Sequence, residues 1–283
     1  MIKVVRAPAH LAVQDAGFSG QRRIGLPRAG AMDLSALALG NMLVGNVPGE
    51  AALEWAVNGG TLRFDRSVTV ALTGARPRGR VGNRMLQLNT ALEIPAGTVL
   101  EIDRIVSGRF LYISLSPSLD LDAVLGSRST YAPARIGGFE GRRLRTGDQL
   151  PLQAPAAKNS GRAPAIPNYA ASIIRVMRAP QSGVLGGRLL SHLLKNSFTI
   201  SAASDRMGYR LEGPAADVTG LLQILSEPAC EGAIQITDSG TPIVLMADGP
   251  TIGGYNKIAV TVPADLPILA QKNPGEAVRF TLI

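Results

Sequence analysis

A carboxylate stands where a turn-forming stretch of the sequence meets a helix-like one. Asp33 follows GLPRAGAM (25–32) and precedes ten mostly apolar residues, 34–43. As a helix N-cap, Asp33 would contribute about 1 kcal/mol to the stability of that helix. As a group at the mouth of a site, it could instead accept a proton or orient a water molecule. Asp33 is therefore a candidate catalytic residue, and both roles stay open.

The glycine-rich stretch ADGPTIGGYNK (247–257) could supply hydrogen-bond donors to a substrate. Its paired glycines allow the backbone to approach a ligand closely. Tyr255 and Lys257 could donate to a carbonyl oxygen that becomes negative during a reaction. The GxxxxGK[ST] spacing is absent, so no P-loop is predicted. A plain hairpin is the alternative. The candidate site residues of this stretch are Asp248, Thr251, Gly253, Gly254, Tyr255 and Lys257.

Two arginines could bind anionic groups of a substrate. Arg206, in SDRMG (204–208), is the best candidate anchor, and a structural salt bridge is its alternative role. Its neighbour Asp205 is a further candidate, although adjacent residues of an extended chain point to opposite faces and need not pair. Arg128, in SRSTY (127–131), could hold a carboxylate in a bidentate manner, or could belong to a polar loop.

Gln14 and Asp15 form a third candidate position. Asp15 could accept hydrogen bonds from backbone amides of a turn before Gly17. The alternative places an amide and a carboxylate at a cleft, where both would contact a substrate.

Several classes of site are excluded or disfavoured by residue counts. Cys230 is the only cysteine, so an intramolecular disulfide and a cysteine metal cluster are excluded. The only histidines, His10 and His192, lie far apart and make a poor zinc signal. No metal site is predicted. A GxSxG nucleophile elbow is absent as well.

The composition indicates a folded protein with a basic surface. Of 283 residues, 46% are hydrophobic, and the formal net charge is +8. The basic stretches 75–84 and 141–145 are not interleaved with aromatic residues, so no platform for stacking nucleic-acid bases is predicted. They indicate a solvated surface or, alternatively, attraction of anionic substrates or an acidic partner. The first residues lack a signal-peptide core and no apolar run reaches a membrane-spanning length, so we expect a cytoplasmic protein.

The elements that must position these residues are mostly short strands. Strands are predicted at 2–5, 61–64, 67–73, 91–102 (with a turn) and 109–116, and their spacing favours an antiparallel barrel or sandwich. A mostly buried helix is predicted over 34–43. Residues 153–170 resemble a linker. Beyond it, a second helix (187–196) and strands near 198–201, 221–225, 233–237, 241–247, 257–262 and 277–283 predict a related domain.

Long motifs of the chain resemble a known family. The stretches that carry the resemblance are VQDAGFSGQRRIGLPRAGAMDLSALALGNMLVGN, 125–150, 204–214, 232–248, 251–259 and 264–280. They are similar, in order, to carboxyltransferase subdomain C/D proteins, also called allophanate hydrolase subunit 2-like proteins. The resemblance implies a mainly β fold of two cyclophilin-like barrels, each with one main helix: residues 1–160 (subdomain C) and 170–283 (subdomain D).

The resemblance also implies partners and alternative functions. One is the C subunit of ATP-dependent 5-oxoprolinase, which converts 5-oxoproline to L-glutamate with a homologous A/B-type subunit (subunit 1/B) and a LamB/YcsF-type subunit. A second is a urea carboxylase-like subunit that acts on biotin supplied by another chain, because no biotinyl-lysine MKM motif is present. A third is a non-catalytic regulator. ATP would bind in the enzyme complex and not at a P-loop of this chain.

The chain departs from the family pattern at several positions near its strongest motifs. Ala29 stands where the family has a serine, and Arg76 stands where it has an acidic residue. Gly249 and Pro250 replace polar residues before Thr251, and Ile252 replaces a second threonine. These departures leave the fold expectation intact and allow a divergent relative with another substrate.

Overall fold

The protein is described by a computed structural model that covers residues 1–155, 164–180, 187–221 and 224–283. It is mainly β, as the sequence predicts. The chain forms two compact units: Met1–Ser19 with Ala29–Ile166, and Gly20–Arg28 with Pro167–Ile283. Of the predicted linker 153–170, residues 156–163 lie outside the described part of the chain.

The first unit is built on a nine-stranded sheet that curls into a half-barrel. Its elements are β1 (Ile2–Arg6), β2 (His10–Gln14), α1 (Leu34–Val44), β3 (Ala52–Ala56), β4 (Asn58–Phe64), β5 (Val68–Val81), β6 (Arg84–Met85), β7 (Ala91–Ile94), β8 (Val99–Ser116) and β9 (Gln149–Leu150). The sheet path is β2-β3-β8-β4-β1-β9, and the long strand β5 pairs antiparallel with β8 along most of its length. A continuous apolar core that includes Trp55 and Phe64 fills its concave side.

Helix α1 confirms the predicted buried helix. Its residues are strong helix formers, and the helix ends at Gly45, which adopts the left-handed conformation at φ 86° that glycine tolerates best. Gly40 lies against the side chains of Ser114 and Thr73, and a β-carbon there would approach the Ser114 oxygen to 2.6 Å. The helix therefore packs closely on strands β5 and β8.

The second unit is a closed seven-stranded barrel in the order β10-β17-β14-β15-β12-β11-β18. Its elements are β10 (Ile173–Arg178), α2 (Gly187–Lys195), β11 (Ser197–Ile200), β12 (Gly208–Glu212), β13 (Glu227–Pro228), β14 (Ala233–Ile236), β15 (Pro242–Leu245), β16 (Ile252–Gly253), β17 (Asn256–Thr261), α3 (Leu266–Ala270) and β18 (Ala277–Leu282). Its pairs are antiparallel except for the parallel pair of β10 and β18, which closes the barrel. Helix α2 matches the predicted second helix and buries Leu189, Leu190 and Leu193.

The segment 20–28 belongs to the second unit although it lies early in the chain. Arg28 forms a bidentate ion pair with Glu231, with both N···O distances at 2.7 Å. Arg22 donates a hydrogen bond to the carbonyl oxygen of Ala229. These polar contacts hold the segment against residues that are far from it in sequence.

Some strand predictions differ from the structure. Strands β2 and β3 were not predicted, because every residue in them is buried and the sequence shows no alternation. The two predicted strands 99–102 and 109–116 are one continuous strand, β8, whose middle is largely exposed and polar. Residues 222 and 223 of the strand predicted at 221–225 lie outside the described residues. No helix in the described ranges is long and apolar enough to cross a membrane.

Candidate functional site

Asp33 caps helix α1 in the first unit. Its Oδ1 accepts a hydrogen bond from the backbone N–H of Ala36 at 2.9 Å, and its own N–H donates to the hydroxyl oxygen of Tyr112 at 2.8 Å. The side chain is fully buried. The capping role of Asp33 is thus present in the structure, and its catalytic role stays a prediction.

A buried glutamate connects Asp33 to the sheet. Glu54, in the middle of β3, is fully buried and accepts hydrogen bonds from the Tyr112 hydroxyl at 2.7 Å and the Met32 N–H at 2.9 Å. Its other oxygen lies 3.0 Å from Nε2 of His10. Burial, followed by the negative charges of Glu54 and Asp33, raises the pKa of Tyr112 well above its ordinary value. Tyr112 therefore stays protonated, and its hydroxyl accepts directly from the Asp33 N–H while donating to Glu54.

Sequence reasoning missed the part that Tyr112 plays in this network. Tyr112 lies in the apolar run RFLYISLS, where a buried tyrosine needs a partner for its hydroxyl. Glu54 interrupts the apolar run ALEWA, and a buried carboxylate likewise needs donors. A polar residue in each of two apolar strands was the signal in the sequence that could have revealed this network. In the structure Glu54 and Tyr112 lie directly opposite each other on the paired strands β3 and β8.

Asp15 organises a turn in the first unit. Its Oδ1 accepts from the Gly17 N–H at 2.7 Å and from the hydroxyl of Ser127 at 2.6 Å, and it also accepts from the hydroxyl of Ser129. Its Oδ2 accepts from the backbone N–H of Arg128 at 2.6 Å. The carboxylate thus holds the loop 127–130 against the end of β2. The turn role considered for Asp15 is present, and its contact with a substrate stays a prediction.

Gln14 and Arg128 lie beside this turn. The Gln14 amide donates to the carbonyl oxygen of Thr130 at 3.1 Å, while its buried Oε1 has no hydrogen-bond partner among the residues that the structure describes. The Arg128 guanidinium donates to the Leu121 carbonyl oxygen at 2.7 Å and lies 3.4 Å from a Glu50 oxygen. Protein groups therefore hold Arg128 in place, and the structure brings together Gln14, Asp15 and Arg128.

In the second unit, Arg206 forms a bidentate ion pair with Asp248. The Nε–Oδ2 distance is 2.9 Å, the Nη2–Oδ1 distance is 2.7 Å, and both side chains are about nine-tenths buried. Asp205 does not share this pair, because its Oδ1 accepts from the backbone of the following turn, at Met207 and Gly208. The salt-bridge alternative for Arg206 is thus observed, and its role as a substrate anchor stays a prediction.

The glycine-rich stretch is anchored as a short strand pair. Strand β16, which includes Gly253, pairs antiparallel with β13. The Thr251 carbonyl oxygen accepts from the Ala229 N–H at 3.0 Å. Lys257 lies 2.5 Å from Oε1 of Glu227 and donates to the Pro228 carbonyl oxygen at 2.6 Å. This pairing joins two segments that are distant in sequence, so it is not a plain hairpin, and Lys257 is already held by β13.

The remaining candidates of this stretch are less restrained. Tyr255 is 41% exposed, so its side chain is accessible to a ligand. A β-carbon added at Gly254 would make ordinary contacts, the nearest at 3.5 Å, whereas one added at Gly253 would lie 2.9 Å from the amide of Gln235. The buried Gln235 was not predicted, and its side-chain amide lies close to Gly253.

No group of three or more His, Cys, Asp and Glu side chains in the described part of the chain could hold a metal ion. The polar groups found instead are carboxylates tied to backbone amides, hydroxyls and guanidinium groups. Such fixed donors and acceptors can position a polar substrate and steady a developing charge.

Comparison with known proteins adds the family and its relatives. The family model described as "Carboxyltransferase domain, subdomain A and B" matches residues 24–282. The sequence resemblance named subdomains C and D of the carboxyltransferase, so the two subdomain names differ. The chain is 34% identical to the C subunit of 5-oxoprolinase from Haemophilus influenzae over 285 residues, which covers 100% of this chain and 91% of that protein. The C subunit of the Escherichia coli 5-oxoprolinase is also 34% identical, with 99% and 90% covered.

A solved structure shares the same fold. The crystal structure of the K. lactis urea amidolyase has a TM-score of 0.90 with this chain at 26% identity. The match covers 100% of this chain but only 18% of that enzyme, so this chain corresponds to a small part of a much longer protein.

Proposed function

Because the chain belongs to the carboxyltransferase domain family of subdomains A and B, we propose that it is one subunit of an ATP-dependent 5-oxoprolinase, which opens the lactam of 5-oxoproline to L-glutamate. One observation carries this choice. Two proteins named as the C subunit of 5-oxoprolinase align with nearly all of this chain and with at least 90% of their own length. A full-length match is what an equivalent subunit would give.

The reaction sets clear demands on a site. Water must add to the lactam carbonyl carbon, the C–N bond must break, and the ring nitrogen must leave as the amine of glutamate. Since the amide is stable, its opening is coupled to ATP hydrolysis in the complex. A proton acceptor, donors to the carbonyl oxygen and an anchor for the substrate carboxylate are the groups that this reaction needs.

The candidate residues are assigned to these demands as part of the proposal. Asp33 would accept a proton or orient water. Arg206 would hold the substrate carboxylate, with Asp248 keeping its guanidinium oriented through the bidentate pair. Lys257 and the backbone amides near Gly254 would steady negative charge on the amide oxygen. Tyr255 is accessible for a further hydrogen bond.

Partners are part of the proposal. A homologous carboxyltransferase-type subunit would complete the enzyme, with a LamB/YcsF-type subunit as a further component. ATP would bind in the complex, because this chain has no P-loop sequence. Biotin would have no place in this reaction.

A second candidate function is carboxyl transfer from biotin, as a urea carboxylase-like subunit. The TM-score of 0.90 with the K. lactis urea amidolyase favours it. In that case the biotin would be carried by another chain. The two functions differ in the small molecule consumed, which makes them separable by assay.

Assembly is the first test of the proposed function. The full chain is co-expressed with a homologous carboxyltransferase-type subunit from the same organism, and a tag on one subunit is used to purify both. A stable complex whose ATP hydrolysis rises when 5-oxoproline is added supports the proposal. A chain that stays alone at micromolar concentration, or a complex that responds only to a biotinylated protein, contradicts it.

A further inference from the structure

A loop of the first unit surrounds an open, arginine-rich depression of about 750 Å³. Four arginines line it, Arg135, Arg142, Arg143 and Arg145, with Glu140 as an acidic lining residue. We call it the arginine depression. None of these residues belongs to the candidate site described above. The basic stretch 141–145, which the sequence left as a solvated surface or an anion attractor, forms part of its wall.

The backbone that carries the arginines is fixed. Two bridges, Tyr131↔Ile136 and Phe139↔Arg142, close successive turns of the loop. The loop is joined to β2 by a hydrogen bond from the Leu144 N–H to the Leu11 carbonyl oxygen at 2.7 Å. The backbone positions of these arginines are therefore fixed, which lowers the backbone part of the entropy cost of binding a ligand.

Two close approaches in the backbone shape the depression. Arg135 has φ 54°, a left-handed conformation that is uncommon for a residue with a side chain. Gly141 touches the backbone of Arg135 so closely that a β-carbon would lie 2.2 Å from the Arg135 carbonyl oxygen. This contact holds Arg135 beside the segment that carries Arg142 and Arg143. Backbone outliers of this kind are often found at binding sites.

The charges of the depression are unequally compensated. Arg142 is paired with two carboxylates, Glu140 at 2.6 Å and Asp148 at 2.7 Å, which more than offset its charge. Burial raises the pKa of Asp148, but hydrogen bonds from Arg142 and Arg145 and their positive charges outweigh burial and lower it. In contrast, the exposed Arg135 and Arg143 form no ion pair within 4.0 Å in the ranges that the structure describes.

The depression thus combines an anchored arginine with uncompensated ones. We propose that it binds a condensed phosphate, meaning a chain of two or more linked phosphate groups. Guanidinium groups match phosphate oxygens in a bidentate manner and stay charged at all physiological pH values. Several guanidinium groups spread around a large depression suit an extended polyanion better than a single phosphate. No aromatic ring is among the described residues that line it, so the phosphate chain and not a stacked base provides recognition.

This inference does not depend on the proposed function, because it concerns the full chain without partners. The ligand chain could come from a nucleoside triphosphate or from inorganic polyphosphate, which share the same chemistry. Isothermal titration calorimetry of the purified chain at 150 mM salt, an ionic strength of about the physiological value, with tripolyphosphate, ATP and orthophosphate as probes, tests the site. We expect saturable tripolyphosphate binding, with orthophosphate at least about tenfold weaker.

A charge-matched pair of variants makes the test specific. The double variant Arg135→Gln with Arg143→Gln should weaken tripolyphosphate binding by about tenfold or more, because it removes two charge-assisted contacts. The control, Arg84→Gln with Arg104→Gln, removes two exposed arginines from strands β6 and β8 of the same unit and should change binding less than about twofold. Circular dichroism checks that both variants are folded.

The possible results distinguish the two sources of the phosphate chain and identify the results that would overturn the inference. Equal affinity for ATP and tripolyphosphate supports recognition of the phosphate chain in either source. Absent ATP binding supports inorganic polyphosphate as the source, whereas much tighter binding of ATP than of tripolyphosphate would show that the nucleoside is recognised and would overturn the inference. The inference is overturned if tripolyphosphate does not saturate, if orthophosphate binds equally well, or if the control variant loses as much affinity as the test variant.

Discussion

Replacing Asp33 by asparagine separates its two roles. Asparagine keeps an oxygen that can accept from the Ala36 N–H, which the Asp33 carboxylate does at 2.9 Å. Since Asn and Asp are nearly equal N-caps, the cap should survive. Loss of the negative charge at a helix N-terminus removes up to about 1 kcal/mol, and the neutral side chain is easier to bury at this fully buried position. The free energy of unfolding should therefore change by less than about 1 kcal/mol.

Asp33→Ala provides the matched control for folding. It deletes the cap and leaves the Ala36 N–H without its acceptor, so it should lower the free energy of unfolding by about 1–2 kcal/mol. Urea unfolding followed by tryptophan fluorescence measures both variants, because Trp55 is the only tryptophan and is buried in the core of the same unit. An asparagine variant as unstable as the alanine variant would show that the cap needs the charge.

Turnover of the assembled enzyme then distinguishes cap from catalyst. If Asp33 accepts a proton in the reaction, Asp33→Asn should lower kcat by about 10²–10⁴-fold while the complex still forms. Steady-state kinetics on the reconstituted complex gives kcat and KM separately. Unchanged turnover in the stable Asp33→Asn variant would refute the catalytic assignment and leave Asp33 as a helix cap only.

Three further variants test the surrounding structure. Tyr112→Phe should have a lower free energy of unfolding than wild type at pH 8, and this difference should narrow above pH 10.0. The pKa of Tyr112 is raised in the folded protein, so its stabilisation is present below pH 10.0, the ordinary value, and is lost as the pH rises. Urea unfolding across this pH range measures the difference, and a constant difference would contradict the prediction. Gly141→Ala should lower the thermal unfolding temperature more than Gly147→Ala. Both glycines have a positive φ, but only at Gly141 would the new β-carbon clash with neighbouring backbone. Equal losses of stability in the two variants would count against the close approach at Gly141. Arg175→Ala should have a lower free energy of unfolding than wild type near pH 6, and the two values should converge as the pH falls below 3.8. Hydrogen bonds from Arg175 lower the pKa of Asp265, and their stabilisation is lost when Asp265 is protonated. A difference in unfolding free energy that persists in acid would exclude this cause.

Local sequence signals were sufficient for helix α1 and for most strands. Asp33, the helix-forming residues after it and Gly45 are all within one short stretch, so capping and composition could define the helix. Strands with alternating burial, such as β18, also follow from local pattern. Fully buried β2 and β3 lack that alternation and depend on pairing with distant strands.

The partners of the candidate site residues could not be predicted from the sequence. Arg206 and Asp248 are 42 residues apart, and only the barrel brings them together. Asp15 meets the hydroxyl of Ser127 across 112 residues. Single polar residues in apolar runs did mark positions that need partners, but the sequence could not identify which distant group would supply the hydrogen bond.

The central claim is that the chain serves an enzyme that opens a lactam, and substrate choice tests it most directly. The complex purified with its homologous subunit and the LamB/YcsF-type subunit is given ATP with 5-oxoproline, or ATP with urea, bicarbonate and a biotinylated carrier protein. Glutamate and phosphate are measured in the first reaction, and carboxylated urea in the second. We predict ATP-dependent glutamate formation from 5-oxoproline and no carboxylation of urea. Carboxylated urea without any glutamate from 5-oxoproline would contradict the account.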